Sequence, residues 1–135
     1  MILKLIIVDC LVKRVGDVGA GKTTLTKGLA LGLGISDPVQ SPTFTISRIY
    51  QANNGLELAH YDFYRLGEAG IMGNEINETA SDPKTITVVE WAGAVKNNLP
   101  SDRLEVNIKV IDENKRLVEL IAHGERAGQL KEQLI

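Results

Sequence analysis

Cysteine is almost absent. Cys10 stands alone among 135 residues, so no internal disulfide can form, and with only two histidines there is no spaced cluster of metal ligands. A reducing cytoplasm is the setting this implies. An excess of charge of one sign is also missing: 15 Lys+Arg against 17 Asp+Glu leave a net charge of −2. Without a long basic run the chain lacks the many phosphate contacts needed to grip a nucleic acid alone, so contact with RNA is expected to run through a partner. Long apolar runs are lacking as well. The N-terminal one is broken by Lys4, Asp9, Lys13 and Arg14; it is too short and too polar to span a bilayer, and it lacks the basic lead and small-residue cleavage site of a secretory signal. Neither membrane insertion nor export is expected. The remaining composition, 44% hydrophobic and 24% charged, excludes wholesale disorder, collagen and coiled coil. With no internal repeat or linker, it implies one domain over residues 1–135.

Glycine, in contrast, is plentiful, with 13 in all, many of them between Gly16 and Gly34. Such density weakens a helix and calls for a functional reason. Before it, Ile2 to Val15 reads as extended around Leu5-Ile6-Ile7-Val8, and after it Lys22 to Leu33 reads as a helix with Leu25, Leu29 and Leu33 on one face. Thr43 to Tyr50 and Leu56 to Phe63, joined by Asn53-Asn54-Gly55, predict a hairpin whose turn tolerates positive φ. Leu66 to Ala80 holds a short helix at most, because Gly67, Gly70 and Gly73 interrupt the pattern. Thr85 to Trp91 is apolar enough for a strand covered on both faces, hence central. Ala94 to Leu99 forms a brief helix stopped by Pro100. In the next strand Leu104, Val106, Ile108 and Val110 take the buried face, and Arg103, Glu105, Asn107 and Lys109 the exposed one. Arg116 to Ala122 returns antiparallel to it, and Glu125 to Ile135 ends in an amphipathic helix. The expected fold is α/β, a P-loop NTPase-like three-layer sandwich with a mainly parallel central sheet and added antiparallel hairpin strands.

The run Gly16-Asp17-Val18-Gly19-Ala20-Gly21-Lys22-Thr23 matches the phosphate-binding loop, and it lies between a predicted strand and a predicted helix as that motif requires. Glycines let successive backbone N–H groups converge on phosphate oxygens, and the helix N-terminus adds partial positive charge. Asp17, Val18, Gly19, Ala20, Gly21, Lys22, Thr23 and Thr24 are the expected ATP-binding residues. Lys22 would reach the β/γ-phosphates and Thr23 would place its hydroxyl on Mg²⁺. Such a site also needs a carboxylate at a neighbouring strand end. Glu90, closing the apolar run Ile86 to Val89, is favoured for the metal. Asp62 either positions the attacking water, binds a second group or merely caps a turn. Thr43, in Ser41-Pro42-Thr43, either senses the γ-phosphate as switch segments do or is a solvated residue in a proline-initiated strand. Trp91 reads as core packing or a docking residue, and His60 and His123 as structural or exposed.

With Gly16 to Thr24, Ser-Pro-Thr-Phe-Thr at Ser41 to Thr45, His-Tyr-Asp-Phe-Tyr-Arg at His60 to Arg65, and Val-Glu-Trp-Ala at Val89 to Ala92, the chain resembles the TsaE family. Its members are bacterial ATPases needed to make threonylcarbamoyladenosine (t6A) in tRNA. The resemblance implies that Lys22 and Thr23 bind ATP and Mg²⁺, that Glu90 is the second metal-side residue, and that Thr43 and Asp62 belong to the active site. It implies work with the subunits TsaD and TsaB, with tRNA reached only through that complex. Family members usually carry a longer segment before the loop, so the wall over the adenine and one flank of the sheet are expected to differ here. Two other classes share the loop. A small-molecule kinase usually closes an Arg-bearing lid, and Gly67 to Pro83 contains no Arg. A nucleotide-dependent binding module would have negligible turnover.

Overall fold

β4 (Thr85–Glu90) is buried at all six positions and carries the centre of the fold. The computed structural model describes residues 5–9, 22–39, 47–62, 70–90 and 99–134. The expected loop residues Asp17, Val18, Gly19, Ala20 and Gly21 lie outside the described residues, as do Cys10, Thr43, Trp91 and most of the helix expected from Ala94. For Lys22 and Thr23 the backbone is described and the side chains are not.

Among the described residues six strands form one mixed sheet in the order β2-β3-β4-β1-β5-β6. These are β1 (Leu5–Asp9), β2 (Ser47–Gln51), β3 (Glu57–Asp62), β4, β5 (Arg103–Asp112) and β6 (Lys115–His123). β3, β4, β1 and β5 are parallel, while β2 and β6 are antiparallel additions at the two edges. This is the α/β class with the mainly parallel centre and hairpin edges that the strand pattern predicted. The run around Leu5 becomes a strand with neighbours on both sides, and the two hairpins form in the expected places. Gly55 takes φ 74° at the first turn.

α1 (Lys22–Gly32) lays Leu25, Leu29 and Leu33 against a cluster that includes Leu58, Val88, Leu104 and Val106 from one face of the sheet. α3 (Glu125–Leu134) adds Ala127 and Leu130 to the same cluster. Each wholly buried aliphatic side chain there contributes about 1.5–3 kcal/mol. α2 (Gly70–Ser81) meets the alternate strand positions, where Tyr61 reaches Thr79 and Glu75.

Two sequence expectations are corrected. Residues 66–80 were expected to hold a short helix broken by glycine, yet α2 runs twelve residues through Gly70 and Gly73. Its buried Ile76 and Ala80 anchor it on the sheet, and tertiary burial outweighs a glycine penalty of about 1 kcal/mol each. In β5 the clean alternation stops halfway. Asn107 is buried, its amide beside Glu119, whereas Val110 is at the exposed end. From Lys109 to Asp112 every β5 position is exposed.

Candidate functional site

Because β3, β4 and β1 are parallel, their last residues Asp62, Glu90 and Asp9 arrive at one edge of the sheet. Asp62 and Glu90 are register partners on adjacent strands, so their side chains leave the same face, the one that packs against α1. Asp62 is 8% exposed and Glu90 3%. Two carboxylates this far out of water, side by side on a sheet, are costly unless donors or a cation compensate them.

Part of that compensation for Glu90 comes from β3. His60, wholly buried and on the same face, sets its Nε2 2.9 Å from Glu90 Oε1. With Glu90 ionised, Nε2–H is the donor, and a neutral ring then leaves Nδ1 as a bare acceptor. His60 Nδ1 is indeed buried with no hydrogen-bond partner among the described residues. An unsatisfied buried polar atom costs about 1–3 kcal/mol. Sequence reasoning read His60 as structural or exposed, and the structure buries it completely. The signal that pointed further was its spacing: two residues before Asp62 in an alternating strand puts both on one face.

α1 brings its N-terminus to the same edge. Thr24, in its first turn, shares a cleft of about 670 Å³ with Leu25, Leu29, Val106, Ile108 and Asn114. The volume lies in the range of small-molecule sites, and Glu113 and Arg116 supply charge at its wall. Thus the C-terminal edge of the sheet carries Asp62, Glu90 and His60 on β3 and β4, and the start of α1 on its β5 side, beside a cleft that those three residues do not line. Thr43 and the glycine loop lie outside the described residues. Among the described residues no three His, Cys, Asp or Glu form a ready metal cage. No described helix is long and apolar enough to cross a membrane.

Residues 4–118 match the model of a family described as threonylcarbamoyl adenosine biosynthesis protein TsaE. The chain is 42% identical over 124 residues to the tRNA threonylcarbamoyladenosine biosynthesis protein TsaE of Bacillus subtilis, a match covering 88% of this chain and 73% of that one. It is 40% identical over 106 residues to the protein of the same description from Streptomyces coelicolor, covering 78% and 72%. Among solved structures, the crystal structure of YdiB from Bacillus subtilis superposes with a TM-score of 0.73 at 36% identity, covering 97% of this chain and 76% of the other.

Proposed function

This chain belongs to the TsaE family, and from that premise we propose that it serves the making of t6A in tRNA as the ATP-binding and ATP-hydrolysing subunit. Its role lies in t6A biosynthesis. The finer reading has it working in the cytoplasm with the TsaD and TsaB subunits and meeting tRNA only through them, which suits a net charge of −2. The fold we propose is the P-loop NTPase-like three-layer sandwich.

The observation that carries the ATPase reading is the meeting of Asp62 and Glu90, both nearly water-free, at the edge where the Lys22-Thr23 helix begins. Buried paired carboxylates fit a hard divalent cation, because its charge offsets theirs and it accepts oxygen ligands. Bound Mg²⁺–ATP supplies the reactive phosphate and a metal charge that stabilises its transfer to water. Around it, Lys22 would hold the phosphate oxygens, and Thr23 with Glu90 would hold the cation. Asp62 and Thr43 would orient the attacking water and sense the γ-phosphate. The residues from Asp17 to Gly21 would donate backbone N–H groups. The cleft beside Thr24 has the size and largely apolar wall for the base of the same nucleotide.

The test is phosphate release and multiple turnover of t6A formation in an assembly with purified TsaD, TsaB and tRNA. Lys22→Ala is expected to abolish both. Undiminished multiple turnover by Lys22→Ala refutes the reading, and a phosphorylated acceptor in place of free phosphate would mark a kinase.

A further inference from the structure

We infer that His60 is the positioning residue for Glu90: its Nε2–H holds Oε1 and leaves Oε2 as the oxygen offered to cation or water. This rests on the ATPase reading and deepens it.

Three observations converge. The contact is 2.9 Å between two side chains that are 0% and 3% exposed, so neither is screened or free to swing into water. Glu90 Oε1 is the oxygen engaged, and among the described residues no hydrogen bond is made by Oε2. Among the described residues His60 also leaves its second nitrogen, buried in the interior, unpaired. A histidine kept only for packing would be expected to satisfy that atom or to give way to an apolar residue, since a buried polar group without a partner is unfavourable. A ring aimed at one carboxylate oxygen restricts the carboxylate's rotation about its terminal torsion. That restriction is how a neighbour that never touches the substrate sharpens a metal-side ligand.

The ring geometry supplies a discriminating pair of substitutions. His60→Gln keeps an amide N–H close to where Nε2 lies, and His60→Asn places its amide near Nδ1, short of Glu90. Both are polar and of similar burial cost, so a purely structural role treats them alike.

Two readouts are taken on full-length protein, with thermal unfolding used to match the folded fraction. One is calorimetric affinity for a non-hydrolysable ATP analogue with and without Mg²⁺; the other is kcat against KM in the TsaD–TsaB assembly. His60→Asn is expected to lose about 10- to 100-fold in kcat or in the Mg²⁺-dependent part of affinity, at unchanged metal-free affinity. His60→Gln is expected to retain most of both. Adding His60→Asn to Glu90→Ala is expected to cost nothing further, because the acceptor is already gone. Equal behaviour of His60→Asn and His60→Gln, or a full additional loss in the double variant, overturns the inference. If the wild type does not hydrolyse ATP, the ATPase reading fails on that result, and the Mg²⁺-dependent affinities still decide the role of His60.

Discussion

Adjacent residues His60 and Tyr61 serve opposite faces of β3, and their surroundings differ accordingly. His60 looks toward the α1 face and Glu90, whereas Tyr61, also wholly buried, places its hydroxyl 3.0 Å from Thr79 Oγ1 and donates toward Glu75 Oε1 at 3.3 Å. Burial pushes the Tyr61 hydroxyl above its ordinary value of 10.0; the Thr79 contact opposes this and the Glu75 carboxylate adds to it. The unfolded chain therefore releases this proton near its ordinary value while the folded chain still holds it. Between those two values the folded state binds more protons, so stability falls as pH rises through that window. Tyr61→Phe is expected to cost about 1 kcal/mol near neutrality through the lost hydrogen bond, and this difference should shrink above about pH 10. Urea unfolding of both proteins at neutral and alkaline pH checks it. Glu90 was readable as a candidate because it ends an apolar run. The His60 contact was not, because alternation gives the face a residue takes but not the neighbour it meets across strands.

At the scale of elements, the glycines in and just after α1 divide into two kinds. Gly34 ends the helix at φ 75°, and the N–H groups of Gly34 and Ile35 return to the carbonyls of Leu31 and Ala30, the double closure that glycine permits at a helix end. A Cβ at Gly34 would also come within 2.9 Å of the Asn53 amide. Gly32 has open space around its missing side chain. Gly34→Ala is expected to destabilise by about 1–2 kcal/mol and Gly32→Ala to stabilise by up to about 1 kcal/mol. Denaturant midpoints of the two variants would show the opposite signs. The start of α3 is held from a distance: Asp102, before β5, accepts from the N–H groups of Arg126 and Ala127. Helix α1 was legible from its leucine spacing. The length of α2 was not, since Gly70 and Gly73 argue against a helix until Ile76 and Ala80 are seen to lose their water.

Across the whole molecule, the antiparallel hairpins extend a parallel centre at both sides, and the C-terminal edge of that centre receives the start of α1. The proposed nucleotide would join α1, β3 and β4, so it should stabilise the entire fold and not one segment. Mg²⁺–ATP at about a hundred times its dissociation constant is expected to add about 2.7 kcal/mol, seen as a raised Tm, and Lys22→Ala should remove the increase. An equal rise in Lys22→Ala would place the nucleotide elsewhere. The sequence by itself determined the α/β class, the central place of Thr85 to Glu90, both hairpins, and the Lys22, Asp62 and Glu90 candidates. These follow from local periodicity and from residue types that suit phosphate and cation binding at that spacing. The tertiary structure decided that Asp62 and Glu90 are register partners, that His60 meets Glu90, and that Asn107 is buried beside Glu119. Those depend on which strands lie side by side and where each one stops. Strand order and register are set by packing over the whole sheet, and no window of sequence contains them.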